Sequence, residues 1–282
     1  MTEARTVLIT GCSSGIGLQA ARALRDRGYR VFATARKPAD VQRLATEGLE
    51  ALPLDLDSDA SIGAALDSVL ERTEGRLYAL FNNGAYGQTG AVEDLSRAVL
   101  RAQLETNLLG WHELTRRVIP VMRRQGEGRI VQNSSVLGLA ALPFRGAYVC
   151  SKFALEGLSD TLRLELAGSG IHVSLIEPGP ISSRFRENAL AVFRRTIDVE
   201  HSPHRAAYAA QLQRLQKPGP AAPFTLPASA VVKPLLHALE SARPRPRYYV
   251  TVPTYLFGYL RRVLSTRLMD RVLLQSSGGG RR

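Results

Sequence analysis

The fold is set by TVLITGCSSGIG, residues 6–17, near the start of the chain. Its β-branched and apolar beginning predicts a short buried strand, and the periodic apolar residues after its glycines predict a helix from Leu18 to Arg27. A strand, a glycine-rich turn and a helix in this order are typical of a pyrophosphate site, because glycines admit the ligand and the helix N-terminus attracts its charge. A tight turn without a nucleotide is the alternative interpretation, but the flanking strand and helix favour the nucleotide site.

Strand-like and helix-like segments alternate along the rest of the chain. After the strand at 6–10, further strands are predicted at residues 29–34, 49–54, 77–81, 129–133, 171–176 and 248–252. This alternation predicts one α/β domain over residues 1–275, a doubly wound Rossmann fold with a central parallel sheet of seven strands. Residues 182–227 break the rhythm and predict a helical substrate lid. An amphipathic helix is predicted at 254–275 and a disordered tail at 276–282.

Composition excludes several classes of protein. The 282 residues are 45% hydrophobic and 22% charged, as in ordinary globular proteins. The net charge of +12 is spread along the chain without a nucleic-acid-binding motif, so no nucleic-acid partner is expected. Two cysteines, Cys12 and Cys150, make no disulfide framework, and the absence of metal-ligand spacing predicts no metal. The N-terminus lacks the apolar core of a signal peptide, which predicts a cytoplasmic protein.

The ends of the second, third and fourth strands indicate which dinucleotide is bound. Arg36 follows the second strand, where an acidic residue would suit the ribose of NAD and an arginine suits the 2′-phosphate of NADP. The sequence therefore favours NADP(H) over NAD(H), with an exposed basic turn before Pro38 as the alternative. Asp55 follows the third strand, where an adenine amino group would lie. Asn82 and Gly84 follow the fourth, where the asparagine either joins neighbouring loops or faces the adenosine ribose.

A second motif places a tyrosine and a lysine on one helix. Tyr148 and Lys152 are four residues apart, so their side chains lie on one face, one turn apart. A neighbouring ammonium favours the phenolate and brings the tyrosine pKa toward the working pH. Ser135 follows a predicted strand, and its hydroxyl can hold a substrate oxygen against the tyrosine. A surface tyrosine beside a solvated lysine is the alternative. Asn107 lies midway in a helical stretch at 96–124, where it either bonds helix backbone or holds a water.

Together these motifs resemble the short-chain dehydrogenase/reductase family over about residues 6–181. Asn107, Ser135, Tyr148 and Lys152 fall where the family keeps its catalytic four. The residues that the resemblance assigns to cofactor binding are Gly11, Ser13, Ser14, Gly15, Ile16, Gly17, Arg36, Asp55, Asn82, Gly84, Tyr148, Lys152, Pro178, Gly179 and Ile181. The chain departs from the family pattern at Ser183, where threonine is more usual, and at Gly84-Ala85, which reverses the usual order.

The resemblance implies a mechanism for carbonyl reduction and its reverse. Hydride moves from the nicotinamide to a carbonyl carbon, while Tyr148 gives its proton to the oxygen that Ser135 holds. Lys152 lowers the tyrosine pKa and bonds the nicotinamide ribose. Asn107 holds a water that links Lys152 to solvent.

Apolar residues in and near the lid favour an apolar aldehyde or ketone, such as a long-chain or aromatic aldehyde, a retinoid or a steroid-like ketone, and the corresponding alcohol. The candidate pocket residues are Leu142, Phe144, Phe185, Leu190, Phe193 and Tyr208. Four arginines of the lid keep a carrier-bound 3-oxoacyl substrate open as an alternative. They are Arg184, Arg186, Arg194 and Arg195. A non-catalytic regulator that binds NADP(H) is a further alternative, although a complete Ser/Tyr/Lys set argues against it.

Two features bear on partners. Within the family, the run Tyr86-Gly87-Gln88 and the arginine-rich tail resemble bacterial oxidoreductases similar to aldehyde reductases and to 17β-hydroxysteroid or retinol dehydrogenases. Family members commonly associate through the helices that hold Trp111 and Tyr148, which implies a homodimer or homotetramer. The tail is predicted to place on one face Leu256, Leu260, Val263, Leu264 and Leu268. This face packs on its own or a partner subunit, or makes peripheral contact with a membrane.

Overall fold

A parallel sheet forms the centre of the molecule, and helices cover both of its faces. The computed structural model describes residues 4–220 and 222–276. Its strands are β1 (Thr6–Ile9), β2 (Arg30–Ala35), β3 (Glu50–Pro53), β4 (Ala79–Asn82), β5 (Gly128–Asn133), β6 (Ile171–Glu177), β7 (Ile181–Ser182), β8 (Leu226–Pro227) and β9 (Arg247–Tyr249). Within those residues, β7 and β8 pair with each other, and the other seven form one sheet in the order β3-β2-β1-β4-β5-β6-β9. The predicted doubly wound fold is confirmed.

The helices either pack in two layers on the sheet or belong to the segments that follow β7 and β9. They are α1 (Gly15–Asp26), α2 (Pro38–Thr46), α3 (Asp59–Arg72), α4 (Arg97–Leu104), α5 (Gly110–Gln125), α6 (Gly146–Glu165), α7 (Phe185–Thr196), α8 (Arg205–Gln216), α9 (Val232–Glu240), α10 (Val252–Val263) and α11 (Thr266–Ser276). Along β1, Val7 and Ile9 pack with α1, α2 and α9, while Leu8 packs with α3, α5 and α6. Successive residues of a strand face opposite sides, so a strand that is buried on both faces is apolar throughout.

The order in which the chain adds strands to the sheet reverses between β1 and β4. Leu8 of β1 pairs in register with Phe32 of β2 on one side and with Leu80 of β4 on the other. The chain therefore leaves these two central strands toward opposite edges, which opens a crevice at their carboxyl ends. The glycine-rich turn after β1 and the Asn-Asn-Gly segment after β4 both lie at this crevice.

One helical stretch was expected at 96–124, and the structure has α4 and α5 joined by a π-helical turn, Glu105–Leu109. Asn107 is fully buried in the middle of this turn. Pro120 lies inside α5, which continues to Gln125. Single π turns inside helices are frequent at functional sites, because the extra residue frees backbone groups from the helical ladder.

The lid at 182–227 is helical, as predicted. It contains α7 and α8, and the pairing of β7 with β8 brings its two ends together. Phe193, Ile197 and Tyr208 are buried in a small core of their own. The Tyr208 hydroxyl accepts a hydrogen bond from the Ala91 backbone N–H at 2.9 Å and donates one to the Asp94 carboxylate, which anchors the lid to the main body.

The predicted single helix at 254–275 is two helices, α10 and α11. Leu264 has an extended backbone and ends α10, and the chain turns there so that Met269 and Leu273 pack on Ala140. One straight helix could not bury both segments against this surface. Ser276, the first residue of the predicted disordered tail, is the last residue of α11, and 277–282 lie outside the described residues. Within 4–220 and 222–276, no helix has the length and apolarity needed to cross a bilayer.

Candidate active site

The turn between β1 and α1 is shaped by its glycines. Gly11 and Gly15 have φ angles of 71° and 58°, a region that favours glycine. A Cβ atom on Gly17 would lie 2.3 Å from the Gly11 carbonyl oxygen, so only glycine lets the turn close against α1. The side chain of Ser14 makes no capping bond, and the first turn of this helix has no acidic residue. These groups fit the pyrophosphate of a dinucleotide, since the N–H groups at the start of α1 remain for an anion.

All six residues that the sequence assigns to this turn lie together at the crevice. They are Gly11, Ser13, Ser14, Gly15, Ile16 and Gly17. Five of them are half-buried, and Gly17 is buried beneath the turn. The Ser13 carbonyl oxygen accepts a bond from Arg43 of α2 at 2.7 Å, which fixes the turn from the far side.

Asn83 joins this turn to the loop after β4. Its amide nitrogen donates to the carbonyl oxygens of Thr10 at 3.0 Å and Gly11 at 3.1 Å. Its amide oxygen accepts from the side chain of Asn133 at 2.8 Å. The Thr10 hydroxyl oxygen accepts from the backbone N–H groups of Asn83 at 2.8 Å and Gly84 at 2.9 Å. The sequence predicted a role for Asn82 and Gly84 here and missed Asn83. The role of Asn83 could have been predicted from its position, because it directly follows a central strand.

The prediction that Asn82 faces the cofactor is wrong for its side chain. Asn82 is fully buried as the last residue of β4. Its amide nitrogen donates to the Thr115 hydroxyl at 2.9 Å and to the Gln132 side-chain oxygen at 3.0 Å. Because side chains alternate along a strand, Asn82 points into the layer that holds α5. It therefore joins β4 to β5 and α5.

Arg36 and Asp55 lie at the far side of the crevice, one residue and two residues beyond the ends of β2 and β3. Arg36 is exposed and has no ion pair within residues 4–220 and 222–276. Asp55 is half-buried, and one of its carboxylate oxygens accepts from the backbone N–H of Asp57 at 3.2 Å. Arg36 is thus available to an anion, and Asp55 is held by its own loop.

Tyr148, Lys152 and Ser135 converge at the carboxyl end of β5. Tyr148 and Lys152 lie one turn apart on the buried face of α6, and Ser135 follows β5. The Lys152 ammonium donates to the Asn133 carbonyl oxygen at 2.9 Å. It lies 5.7 Å from the centroid of the Tyr148 ring. The hydroxyl of Ser135 is close enough to that of Tyr148 to lower its pKa.

Burial controls the ionisation of this group. It raises the pKa of Tyr148 to about 12, against a smaller opposing effect of the Ser135 hydroxyl. It lowers the pKa of Lys152 to about 7, against the opposing charge of Glu156. The expected lowering of the tyrosine pKa by the lysine is therefore not found in this closed site. The cost of ionising a group shielded from water exceeds the attraction of a neighbouring ammonium.

Asn107 uses its side chain to hold backbone. Its amide nitrogen donates to the Tyr86 carbonyl oxygen at 2.9 Å, and its amide oxygen accepts from the Tyr86 N–H at 3.2 Å. Its amide nitrogen also lies 3.4 Å from the Ser151 hydroxyl. The predicted bond to helix backbone is not found, because Tyr86 lies in the loop after β4. The alternative, a water held by Asn107, stays a prediction.

Phe185 closes the site from the lid. Its ring packs edge-on against Tyr148, with centroids 5.4 Å apart. A Cβ atom on Gly87 would lie 2.7 Å from the same ring. Four other pocket candidates pack elsewhere. Phe144, Phe193 and Tyr208 belong to the core of the lid, and Leu142 packs with α10 and α11. Leu190 is half-buried in α7.

Two open cavities are remote from Tyr148. One of about 360 Å³ lies between the end of α6 and β6. The other, of about 280 Å³, lies between residues 139–141 and α11. The space beside Tyr148 is filled by Phe185, so a substrate requires movement of that ring.

The loop after β6 packs closely on the start of α10. A Cβ atom on Gly179 would lie 2.1 Å from the Thr251 hydroxyl oxygen. The Pro178 carbonyl oxygen accepts from the Val136 N–H at 2.8 Å, which places this loop beside Ser135. Thr251 is buried and was not singled out by the sequence.

The loop continues toward the glycine turn. Ile181 is half-buried at the start of β7, and Ser183 lies two residues further on. A Cβ atom on Gly15 would lie 3.0 Å from that of Ser183. The loop expected on the nicotinamide side thus reaches the pyrophosphate turn.

A buried ion cluster lies behind the site. The Arg247 guanidinium contacts the carboxylates of Glu156, of Glu177 at 2.7 Å and of Asp160 at 2.6 Å. Glu156 also accepts a bond from the Ser134 hydroxyl. Burial raises the pKa of Glu177 to about 8, and the neighbouring Glu156 adds to this shift. Three carboxylates around one guanidinium favour retention of a proton.

A glycine turn at the switch point, beside a serine, a tyrosine and a lysine, defines a nicotinamide-dependent oxidoreductase. The sequence profile of the family described as short chain dehydrogenase matches residues 5–191. The chain belongs to this family.

Three relatives illustrate its range. The uncharacterized oxidoreductase YbbO of Escherichia coli is 45% identical over 269 residues, which cover 95% of this chain and 94% of that protein. Human 17-beta-hydroxysteroid dehydrogenase type 1 is 36% identical, over 88% of this chain and 78% of its own. Human retinol dehydrogenase 8 is 39% identical, over 66% and 62%.

Solved structures agree with the fold. A short chain dehydrogenase/reductase from Burkholderia phymatum in complex with NAD has a TM-score of 0.77 and 27% identity, over 96% of this chain and 95% of that one. The actinorhodin polyketide ketoreductase with NADPH has a TM-score of 0.72 and 28% identity, over 88% and 95%. The family therefore includes members with either dinucleotide.

Proposed function

We propose that this protein is an NADP(H)-dependent oxidoreductase that interconverts an apolar aldehyde or ketone and its alcohol. The observation that carries the proposal is the meeting of Tyr148, Ser135 and Lys152 beneath the ring of Phe185. A carbonyl that replaced this ring would meet a tyrosine hydroxyl and a serine hydroxyl on one side and apolar surface on the other.

Each of the three side chains has a separate task. Ser135 donates to the substrate oxygen and orients it. Tyr148 transfers a proton to that oxygen in reduction and removes one in oxidation, and a pKa raised to about 12 keeps it protonated in the reducing direction. Lys152 is held by the Asn133 carbonyl and supports the tyrosine once water is excluded. The bound nicotinamide supplies or accepts hydride.

Arg36 supports NADP(H) as the preferred dinucleotide. Its exposed guanidinium follows β2 and has no competing carboxylate within residues 4–220 and 222–276. A planar fork of donors matches a phosphate carrying about two charges. Arg36→Ala should raise the KM for NADPH by roughly 10- to 100-fold and leave that for NADH nearly unchanged. Arg27→Ala, which removes an exposed arginine from the other end of α1, is the control. Equal effects on both dinucleotides would contradict the assignment.

The substrate class rests on Phe185, the candidate pocket residue whose ring contacts Tyr148. The two human relatives carry the names of a steroid and a retinol dehydrogenase, which supports a lipophilic substrate. The test is a panel of long-chain aldehydes, an aromatic aldehyde, a retinoid and a steroid ketone, each followed by nicotinamide absorbance with NADPH and with NADH. Turnover of none of these while NADPH binds would contradict the proposal and favour the non-catalytic regulator.

A carrier-bound 3-oxoacyl substrate is less well supported. Arg186 donates to the carbonyl oxygens of Lys217 and of Gly219 within the lid, and Arg184 lies 3.5 Å from Glu187. Of these four arginines, Arg194 and Arg195 are exposed and have no ion pair within residues 4–220 and 222–276. Activity on such a substrate should fall steeply with added salt, whereas activity on a free lipophilic aldehyde should not.

The outer face of α10 supports peripheral contact with an anionic membrane. Its exposed apolar residues are Val252, Tyr255, Leu256, Tyr259 and Val263. They differ from the predicted face, because Leu260 and Leu264 pack inward. Residues 252–276 contain four arginines and one acidic residue, which suits a negatively charged surface.

Vesicle sedimentation tests this contact. The double variant Leu256→Gln/Tyr259→Gln should bind phosphatidylglycerol-containing vesicles at least about 10-fold more weakly than the wild type. Val92→Gln/Phe224→Gln, which alters two exposed apolar residues outside α6 and α10, is the matched control. Equal binding by all three proteins would contradict membrane contact.

We also propose that the protein forms a homodimer or homotetramer through α5 and α6. We propose a cytoplasmic location, with peripheral contact to the membrane. Sedimentation velocity of the wild type and of Leu158→Gln/Leu164→Gln, which alters two exposed leucines of α6, tests the first point. A monomer at every protein concentration would contradict it.

A further inference from the structure

Trp111 lies directly beside the ammonium group of Lys152. It is the second residue of α5 and is fully buried. The Lys152 Nζ atom is 4.2 Å from the centroid of the Trp111 ring and 5.7 Å from that of Tyr148. The ammonium therefore rests on the face of the indole rather than on the phenol.

The indole stabilises an ammonium group that has few other partners. The ammonium donates to the Asn133 carbonyl oxygen at 2.9 Å, and it has no ion pair within residues 4–220 and 222–276. Glu156, one turn further along α6, is the carboxylate that acts on it, but Glu156 is already bonded to Ser134 and Arg247. A buried cation with so little support is costly, and the negative face of an indole offsets part of that cost.

The opposite edge of the ring holds the loop after β4. The indole N–H donates to the Gly84 carbonyl oxygen at 2.7 Å. Gly84 in turn lies against the glycine turn, since a Cβ atom there would be 3.2 Å from the backbone nitrogen of Gly11. One rigid side chain thus spans the distance between the lysine and the loops that fit the dinucleotide.

We propose that Trp111 is a positioning residue that keeps Lys152 charged and holds the Gly84 loop at a fixed distance from it. The kinetic part of this inference rests on the proposed oxidoreductase function. The fluorescence part does not, because it needs no turnover.

Trp111 is the only tryptophan of the chain, so its emission can report the charge of Lys152. Titration of the wild-type protein should show a change of indole emission between about pH 6 and 9, as the ammonium above the ring loses its proton. Glu156 and Tyr148 are the other titratable groups on the same helix face. Lys152→Met should abolish the change while Glu156→Gln shifts its midpoint toward lower pH. An unchanged titration in Lys152→Met would overturn the proposal, whatever the enzyme turns over.

Two substitutions separate the two contacts of the ring. Trp111→Phe keeps an aromatic face and loses the bond to Gly84, so the dissociation constant for NADPH should rise about 3- to 10-fold. Trp111→Leu loses both, and the alkaline limb of carbonyl reduction should also move by about one pH unit toward lower pH.

Leu114→Val is the control on the same helix, since it removes buried volume without touching Lys152 or Gly84. It should lower the melting temperature and leave the pH profile in place. If Trp111→Leu does not fold, Trp111→Phe and the fluorescence titration still test the proposed role of Trp111. A pH profile of Trp111→Leu that matches that of Leu114→Val would overturn the proposed role.

Discussion

Burial keeps the hydroxyl of Tyr148 protonated. It raises the pKa of Tyr148 to about 12, although the Ser135 hydroxyl acts in the opposite direction. The Phe185 ring packs against the tyrosine ring. The closed site therefore suits proton donation, and a phenolate becomes favourable only when a bound ligand and the lysine charge replace the lost water. The ionisation of a side chain in this site therefore depends on its burial as much as on the charges of its neighbours.

Tyr148→Phe tests the proton transfer directly. The variant should bind NADPH with an unchanged dissociation constant, because it loses one hydroxyl and no volume. Its kcat should fall by about 100- to 10,000-fold, the range associated with loss of a general acid. Stopped-flow turnover beside a fluorescence binding titration would measure both. A kcat within about threefold of the wild type would remove Tyr148 from the mechanism.

Glu177 should make the stability of the protein depend on pH. Its folded-state pKa of about 8 lies above the ordinary glutamate value, so the folded state holds a proton that the unfolded state has lost. The free energy of unfolding contributed by this group is therefore highest below the unfolded pKa and falls as pH rises toward the folded pKa.

Glu177→Gln should remove that dependence. Between about pH 5 and pH 8, its melting temperature should fall less steeply than that of the wild type. Arg247→Met is the opposite case, since it leaves three carboxylates without their guanidinium and should destabilise the fold by about 3–5 kcal/mol. Parallel melting curves for wild type and Glu177→Gln would show that the cluster holds no proton at Glu177.

At the scale of elements, the turn after β1 and the start of α1 pack so closely that they tolerate little change in side-chain size. Gly17 faces the carbonyl oxygen of Gly11 at a distance that excludes a methyl group. Gly157, in the exposed middle of α6, has no heavy atom within 4 Å of where a Cβ would lie. The same substitution should therefore have opposite effects at the two glycines.

Gly17→Ala should weaken NADPH binding at least about 10-fold and lower stability by about 1–3 kcal/mol, because backbone must move to admit the methyl group. Gly157→Ala should raise stability by about 0.5–1 kcal/mol without affecting binding, because it removes glycine from a helix interior. Calorimetric titration and chemical unfolding of both variants would measure this. A Gly17→Ala protein with normal NADPH affinity would contradict the fit of the pyrophosphate to this turn.

At the scale of the whole molecule, polar contacts of α8 and of the turn before it help to join the lid to the body. The Tyr208 hydroxyl bonds both Asp94 and the Ala91 backbone, and His204 lies 2.5 Å from Glu93. These contacts hold α8 while the neighbouring α7 carries Phe185 over Tyr148. Opening of the site should therefore respond to the strength of an anchor far from the chemistry.

Tyr208→Phe should loosen that anchor. Proteolysis within residues 198–220 should become several-fold faster, and KM for the best carbonyl substrate should change more than kcat, because the chemical groups are untouched. Tyr255→Phe, at an exposed tyrosine of α10, is the matched control. If both variants are cleaved at the wild-type rate, the Tyr208 hydroxyl does not anchor the lid.

The sheet, the glycine turn and the positions of Tyr148, Lys152 and Ser135 could be predicted because each depends on residues close in the chain. The roles of Asn82 and Asn83 could not, since which of two adjacent asparagines points inward depends on where β4 ends. Asn107 and Trp111 meet Tyr86 and Gly84, more than twenty residues away, and no local pattern records such a contact. The break between α10 and α11 depends likewise on packing against Ala140.

The pairing of β7 with β8 has a consequence for how such proteins diversify. Residues 183–225 leave and re-enter the body at adjoining points, so their replacement by a segment of another length would cost little extra chain-closure entropy. The sheet and the proton-transferring groups would remain untouched by the exchange. The segment can therefore be exchanged as a unit. Recombination at its two ends could alter the substrate range in one step, without intermediates that fail to fold.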